Sequence, residues 1–453
     1  MAGAILPAGP PAPRACGRGA SLARMSTGTQ RRALGAILGV AALVRLIWVA
    51  YAAREPLAFG DPFAYYGYGL QIADGAGYVS WVTGEATAFF PVGYPAMLAS
   101  VFWLGDHLVV PRDLPTAAGL VQALLGVGSV WLVFVLAREL FTTRVGLVAA
   151  AIAALYPNLV FYTATFQVEN LFIPLALGAL AVILTHRFED GPPSGWRMAA
   201  FGAVLGLSAL VRPFALPFLP LLAVVWLARG FGWRRFARDG AIALVAVIAV
   251  IAPWTVRNWV VLDAPVLIST NMGDTLCLDR TDDATGRFRF PPECFEGYED
   301  VAPEDIEERR NVENTRRAVE WVIENPAAEL RNIVRRAWFI LEHDHDGLQV
   351  VESSGEDPFL PDALRTALRV TADAAYLAVL VAAAVAVPTF ARWSRPERLY
   401  FLLAGGSLLL IAVLLWGTPR FHVPALPFAI VMAAVTVDRF VVTRFTDRKL
   451  TLS

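Results

Sequence analysis

The chain has 453 residues, of which 57% are apolar and only 17% are charged, whereas soluble globular domains are nearer half apolar and a quarter charged. The formal net charge of −1 gives no reason to expect a nucleic-acid partner. The three cysteines, Cys16, Cys277 and Cys294, are too few for a disulfide scaffold or a zinc site.

The first 33 residues are rich in Pro, Gly and Ala and are predicted to form a disordered cytoplasmic tail. The alternative is that the start at Met1 is mis-called and translation begins at Met25. A cleavable signal peptide is not expected, because the first span begins after Arg31 and Arg32 and should remain as an anchor. After this tail charged residues are rare within a series of apolar segments, which are candidates for membrane-spanning helices. About ten spans are predicted, starting near Leu34, Ala117, Val145, Leu171, Met198, Phe214, Ala241, Val370, Leu399 and His422.

The arginine-rich links between these blocks can all lie on one side, which identifies that side as the cytoplasm. Both termini then lie in the cytoplasm. The protein is expected to be a multi-pass protein of a bacterial cell membrane. The apolar stretch from Gly93 is too short to span, and a span there would move the basic link containing Arg138 and Arg144 outside. We therefore predict an interfacial or re-entrant helix at this position.

This topology divides the chain into five parts. Residues 1–33 form the tail, and residues 34–256 form a transmembrane module that includes a long outer loop over residues 54–116. Residues 257–367 form a small, mostly helical extracytoplasmic segment, with Asn325 as a helix N-cap before Pro326. Residues 368–441 form the C-terminal transmembrane helices, and residues 442–453 form a second cytoplasmic tail.

Asp61 opens the first outer loop, close to Tyr65 and Tyr66. Aromatic faces can stack on sugar rings, and a partly desolvated carboxylate at the membrane face suits a general base. The alternative is that Asp61 only caps the following helix. The nearby Asp74 and Glu85 lie among glycines and are interpreted as turn residues.

Glu169 is predicted at the outer end of the fourth span. A carboxylate at the head of an apolar helix is costly unless it has a partner, so Glu169 could orient a catalytic group or an acceptor. It could equally be a first-turn residue that interacts with the helix dipole.

Four arginines, Arg45, Arg212, Arg257 and Arg420, are predicted near the outer ends of spans, with His422 beside the last. Arg212 joins two short spans and should lie below the outer surface, at the floor of a cavity. Such a group needs an anion, and a lipid phosphate is one candidate. The alternative for all four arginines is snorkelling to the interface or pairing with acidic side chains.

Two features of the extracytoplasmic segment remain. The tract His343, Asp344, His345, Asp346 contains metal-binding residue types, but alternation in an extended strand would place them on two faces. We therefore favour a structural or solvated role over a metal site. Cys277 and Cys294 lie in an oxidising compartment and are candidates for a disulfide, whereas Cys16 should be free.

Several short motifs occur in a fixed order along the chain. Asp61 is followed by Tyr65, and FFPVGYPAML, which includes Tyr94, begins at Phe89. The later motifs are LYPNLVFYTATFQVENLF from Leu155, VRP at Val211, RNWVVLDAPVLISTNMGDTL from Arg257 and RFHVPALP from Arg420. In the order of these motifs the chain resembles the GT-C superfamily of integral membrane glycosyltransferases, and within it the protein O-mannosyltransferase and aminoarabinose transferase group. The resemblance extends over nearly the whole chain after Ala33.

The resemblance implies an all-α polytopic fold and an inverting transfer of a sugar from a polyprenyl-phosphate donor. It implies Asp61 as catalytic base, Glu169 at a second acidic position, and substrate binding by the tyrosines and outer basic residues, including Tyr94. It implies no metal and no other cofactor. The acceptor can be a lipid, a glycan or a protein, although Asp61 is followed by Pro62 where protein mannosyltransferases have an Asp-Glu pair.

Two other functions remain open from the sequence. A lipid-linked sugar transporter would require polar groups near the middle of the membrane, whereas the ionisable residues here cluster near the outer interface. A non-catalytic subunit of an envelope-assembly complex would retain its function after replacement of Asp61.

Overall fold

The computed structural model describes residues 27–57, 60–80, 83–107, 113–356 and 359–450. Over these residues the chain is almost entirely helical, and its only β structure consists of isolated bridges. The predicted tail before residue 27, including Cys16, lies outside the described residues. The helices are, in chain order, α1 Thr27–Ala52, α2 Asp61–Ala73, α3 Gly93–His107, α4 Leu114–Leu140, α5 Thr143–Leu155, α6 Pro157–Phe161, α7 Glu169–Leu184, α8 Gly195–Val211, α9 Phe218–Leu221, α10 Ala223–Ala228, α11 Trp233–Leu262, α12 Met272–Cys277, α13 Pro303–Glu324, α14 Pro326–Leu341, α15 Asp346–Glu352, α16 Asp362–Phe390, α17 Pro396–Val413 and α18 Leu426–Leu450.

All ten predicted spans correspond to helical segments, but these differ in length. Six are long and apolar enough to cross a membrane, or up to seven if the bent pair Thr143–Leu155 and Pro157–Ala164 is one span. The six are α1, α4, α11, α16, α17 and the stretch Pro419–Phe440. The segments predicted from Leu171, Met198 and Phe214 are the shorter apolar helices Glu169–Leu184, Gly195–Val211 and Pro213–Ala228.

Helix ends account for the differences from the predicted boundaries. α1 begins at Thr27 and α18 continues to Leu450, so both enter regions predicted as tails. Likewise α11 continues to Leu262 and α16 begins at Asp362, at both edges of the predicted extracytoplasmic segment. The hydrophobic pattern marks only the apolar part of a helix, whereas backbone hydrogen bonding continues through the polar turns beyond it.

The break between α5 and α6 lies at Tyr156, which is extended and precedes Pro157. Proline has no N–H and disfavours a helical conformation in the residue before it, so carbonyls at the end of α5 lose their partners. Arg45 of α1 takes them, because its guanidinium donates to the carbonyls of Ala154 at 2.9 Å and Ala153 at 3.3 Å. Arg45 is almost fully buried and therefore secures the bent pair.

The helices of the first outer loop lie beside the bundle. α3 has 15 residues and is about 22 Å long, and it packs against α2, α4 and α8. The prediction of an interfacial or re-entrant helix here stays a prediction. Gly93 at its start lies so close to α8 that a Cβ atom there would approach the Leu210 carbonyl oxygen to 2.8 Å. This contact brings the first outer loop directly to the end of α8, where Arg212 follows.

The segment predicted to be extracytoplasmic, residues 257–367, covers the same end of the bundle. α12 packs against α13, and α14 packs against the 3-10 turn Pro419–Ala425 that precedes α18. Asn325 takes the N-cap position of α14 before Pro326, but its side chain donates to the Trp321 carbonyl and makes no capping bond.

Candidate active site

A cavity of about 460 Å³ opens where the first outer loop, the end of α8, the extracytoplasmic segment and the turn before α18 meet. Its polar lining includes Asp61 and Arg212, and its walls are largely aromatic. The aromatic lining residues are Tyr65, Phe89, Phe90, Phe214, Phe288, Phe290, Phe295, Trp416 and Phe421. A cavity of this size, mainly apolar with a few convergent polar groups, is typical of a binding site for an organic ligand.

Asp61 is the first residue of α2, and Gly60 takes the N-cap position. The Asp61 side chain does not cap the helix but forms an ion pair with Arg420. The Tyr65 hydroxyl lies 3.5 Å from the same carboxylate oxygen, and burial raises the pKa of Tyr65 above its usual range, so this phenol stays a neutral donor. With 35% of its side chain exposed, Asp61 is accessible from the cavity.

Glu169 begins α7 and has no exposed surface. One carboxylate oxygen accepts from Arg212 at 2.7 Å and from Arg420 at 2.9 Å, so Glu169 lies behind both arginines. Its second oxygen and the Nη2 of Arg420 are buried without a partner among the described residues. We call Asp61, Glu169, Arg212 and Arg420 the site cluster.

Arg212 forms the cationic part of the cavity lining. It is extended and precedes Pro213, which ends α8 and directs the side chain out of the helical register. Its guanidinium lies over the rings of Phe214 and Phe421, with centroid distances of 4.9 and 5.3 Å. Since only Nη1 is bonded to Glu169, the group can accept an anion on its remaining side.

Two of the predicted substrate-binding tyrosines lie outside the cavity lining. The Tyr66 hydroxyl donates to Glu55 at 2.8 Å. Tyr94 is fully buried and donates to Gln122 at 2.6 Å. Both side chains pack within the predicted outer loop. The sequence did not show which face of α2 or α3 would line the cavity, because successive residues of a helix point in different directions.

Arg257 also lies outside the lining. Its guanidinium donates to the carbonyls of Thr87 at 2.7 Å and Tyr78 at 3.0 Å, and it stacks over Trp254. It connects α11 to the first outer loop, so its charge is used in holding the loop.

His422 and Arg45 are both buried, and neither side chain lines the cavity. The Nδ1 atom of His422 lies 2.6 Å from the Ile340 carbonyl oxygen, and its Nε2 atom lies 3.0 Å from Asp344. Because His422 follows Arg420 by two residues in the same 3-10 turn, these contacts fix the turn that presents Arg420.

The alternating tract divides between two faces, as expected. Asp344 and Asp346 point inward: Asp344 bonds Tyr156 and Asn158, and Asp346 bonds Asn158 and Tyr162. Burial raises the pKa of Asp344. The two aspartates thereby attach the turn after α14 to the break after α5.

The two histidines of the tract share the other face. His343 and His345 stack with ring centroids 4.1 Å apart, and His345 Nδ1 lies 2.9 Å from Asp373 of α16. Burial, followed by the neighbouring His345, lowers the pKa of His343. The sequence pattern does not reveal this trio, because Asp373 lies 28 residues after His345.

Asp274, near the start of α12, is a further lining residue that the sequence analysis missed. Burial raises its pKa, although Arg310 opposes that effect at 2.8 Å. Cys277 and Cys294 form a disulfide with a Cα–Cα distance of 6.1 Å, which ties α12 to the chain that carries Phe295. The motif around Arg257 indicated this region, but not which residues would face the cavity.

The family model described as dolichyl-phosphate-mannose-protein mannosyltransferase matches residues 95–259. This range is less than half of the chain. It contains Glu169 and Arg212 but neither Asp61 nor Arg420. No curated protein matches the sequence.

Solved structures extend the likeness to the whole fold. The oligosaccharyltransferase AglB from Archaeoglobus fulgidus, in complex with an inhibitory peptide and a dolichol-phosphate, aligns with 94% of this chain at a TM-score of 0.52 and 14% identity. The apo form of the Archaeoglobus fulgidus oligosaccharyltransferase aligns with the same share at 0.53 and 13% identity. This chain spans about half the length of these proteins, since 52% of each is covered.

ArnT from Cupriavidus metallidurans bound to undecaprenyl phosphate aligns over 91% of this chain and 78% of its own at 16% identity, but its TM-score of 0.39 is too low to support a fold assignment. The likeness to the oligosaccharyltransferase confirms the predicted all-α polytopic fold, which this chain shares with that protein. With its apolar helices, the chain is a multi-pass membrane protein.

Proposed function

We propose that this protein is a membrane glycosyltransferase that moves a sugar from a polyprenyl-phosphate carrier to an acceptor hydroxyl on the extracytoplasmic side, with inversion at the anomeric carbon. Both termini are then cytoplasmic. The observation that carries the proposal is the cavity in which an accessible carboxylate, Asp61, and a cation, Arg212, face the same space between aromatic walls.

Asp61 acts as the general base. The acceptor oxygen attacks the anomeric carbon, its proton passes to the Asp61 carboxylate, and the bond from the anomeric carbon to the phosphate oxygen breaks. A positioned base of this kind contributes typically 10²–10⁴-fold to a rate. Tyr65 and Arg420 hold the carboxylate in place.

Arg212 receives the departing phosphate. Charge grows on the phosphate oxygen as the bond breaks, and a preorganised guanidinium in a site with little water stabilises that charge. Glu169 keeps Arg212 and Arg420 in place from behind. Glu169 is therefore a positioning residue, whose buried carboxylate does not contact the substrate.

The aromatic walls suit the two substrates. Aromatic rings can stack on sugar faces, and apolar walls also accommodate the first units of a polyprenyl chain. The acceptor is a lipid, a glycan or a protein that presents a hydroxyl group to Asp61.

The proposal is tested with membranes containing the wild type or Asp61→Asn, supplied with a panel of labelled polyprenyl-phosphate sugars and membrane acceptors. Asp61→Asn should lower transfer by at least about 100-fold while the protein stays folded. Glu85→Gln, at an exposed acid of the same loop, is the matched control. Wild-type transfer by Asp61→Asn would overturn the role of base, and export of the intact carrier without transfer would identify a transporter.

A further inference from the structure

We propose that His343, His345 and Asp373 form a binding site for one divalent transition metal ion of the zinc type, on the outer face of the protein. This site is separate from the site cluster, and the proposal does not depend on which reaction the cavity carries out.

The first observation is the convergence of three ligand atoms. One potential ligand atom from each residue lies within 4.8 Å of the other two. His343 and His345 come from the turn between α14 and α15, whereas Asp373 comes from α16. Two imidazoles and one carboxylate are a ligand set used by zinc sites that keep a position open for water.

The second observation is an unsatisfied ring nitrogen on one of the three residues. The Nδ1 of His343 is buried and has no partner among the described residues, although a buried polar atom normally has one. His345 Nδ1 lies 2.9–3.0 Å from the two carboxylate oxygens of Asp373. A metal ion can bind between these ligand atoms, with release of any proton that they hold, and can take His343 as its third ligand.

The third observation is the rigid support of the trio. The backbone N–H of Asp344 donates to Asp373 at 2.9 Å, which orients the carboxylate. Asp344 lies between the two histidines in sequence, and its buried side chain accepts a hydrogen bond from the Tyr156 hydroxyl. A ligand set held in this way loses little conformational entropy on binding.

The trio is also accessible. The exposed fractions of the side chains are 23% for His343, 15% for His345 and 39% for Asp373. An ion can therefore enter from solution and complete its coordination with water. Imidazole ligands suit zinc, cobalt and nickel, whereas magnesium and calcium prefer oxygen ligands. We therefore expect this site to bind zinc, cobalt or nickel but not magnesium or calcium.

Metal binding would join α16 to the turn after α14. That turn also carries Asp344, which bonds His422 in the same 3-10 turn as Arg420. The metal would thus stiffen the support behind one arginine of the site cluster without entering the cavity.

The experiment uses full-length protein purified on a tag without histidine and freed of metal. Titration with Zn²⁺ should show one equivalent bound, with no competition from Mg²⁺, and Co²⁺ should give the intense visible bands of a four- or five-coordinate site. His343→Ala, His345→Ala and Asp373→Asn should each weaken Zn²⁺ binding by at least roughly 100-fold, since loss of a supporting residue alone costs 10–100-fold.

His107→Ala is the matched control, because His107 is exposed at the end of α3 and should leave binding unchanged. Zn²⁺ should raise the thermal unfolding midpoint of the wild type and of His107→Ala, but not that of the three ligand variants. The proposal is overturned if the wild type binds no Zn²⁺, if the ligand variants bind as the wild type does, or if Co²⁺ gives only the weak bands of an octahedral ion.

Discussion

Two clusters in this protein have the same composition, two carboxylates and two arginines, but differ in how completely they are satisfied. The site cluster lines or backs the cavity. The second, which we call the loop cluster, consists of Asp279, Arg280, Glu329 and Arg336 in the extracytoplasmic segment. There Arg336 pairs with Asp279 at 2.6 Å and with Glu329 at 2.8 Å, all three of them buried.

Every buried side-chain nitrogen or oxygen of the loop cluster has a partner, whereas Glu169 and Arg420 each leave one buried atom without a partner. Asp279 even accepts a backbone N–H from Gly286 at 2.7 Å. A satisfied buried network fixes the structure, and an unsatisfied network beside a cavity has capacity left for a ligand. We therefore expect the same residue types to have different roles in the two clusters.

The strongest way to test this difference is to break the loop cluster. Arg336→Met should destabilise the protein by about 3–5 kcal/mol, because Asp279 and Glu329 would lose a buried partner. The thermal unfolding midpoint in detergent measures the effect. Arg316→Met, at an exposed arginine paired with Glu320, should change stability by less than about 1 kcal/mol. If Arg336→Met unfolds as the wild type does, the loop cluster is not a structural clamp.

The corresponding change in the site cluster should affect activity more than folding. Arg420→Met should lower sugar transfer by about 10²-fold, because Asp61 would lose the cation that holds it in place and a small misplacement of a catalytic group can cost that much. Its unfolding midpoint should fall less than that of Arg336→Met, because Glu169 keeps Arg212 and Asp61 is open to solvent. An equal loss of stability in both variants would show that the two clusters are alike.

The positions of the helices, and several residues of the site cluster, could be predicted from the sequence. The contacts between side chains could not. Apolar blocks and basic links predicted a helix at each of ten positions, because burial in lipid constrains composition over a whole helix. Among the charged residues predicted near the outer interface, three ion pairs link Asp61, Glu169, Arg212 and Arg420. Arg45 and Arg257 instead bond backbone carbonyls.

Contacts between residues that are far apart in sequence could not be predicted from the sequence. Arg45 looked like a phosphate ligand, but it bonds carbonyls released by a proline break 108 and 109 residues away. Asp344 is bonded to Tyr156, 188 residues away, and nothing near the tract indicates that partner. A charged residue can be placed at a membrane depth from sequence, but its partner depends on how the helices pack.

The disulfide offers a smaller test, because it supports the cavity wall and not a charge cluster. Replacing both Cys277 and Cys294 by Ser should cost about 2–4 kcal/mol of stability, less than Arg336→Met, and should loosen the chain that carries Phe295. The wild type should show a mass shift on alkylation only after reduction. Alkylation of both cysteines without reduction would contradict the disulfide.

The smallest expected effect concerns the free side of Arg212. One hydrogen bond to a charged group contributes about 1.5–3 kcal/mol, so Arg212→Ala should raise the KM for the polyprenyl-phosphate donor at least about tenfold. Because Nη1 is bonded to Glu169 and two rings hold the guanidinium plane, only its remaining N–H groups can contact the phosphate. Arg331→Ala, exposed on α14, should leave KM unchanged. If Arg212→Ala lowers kcat at constant KM instead, Arg212 stabilises the departing phosphate only in the transition state, and the site cluster contributes to catalysis without binding the donor.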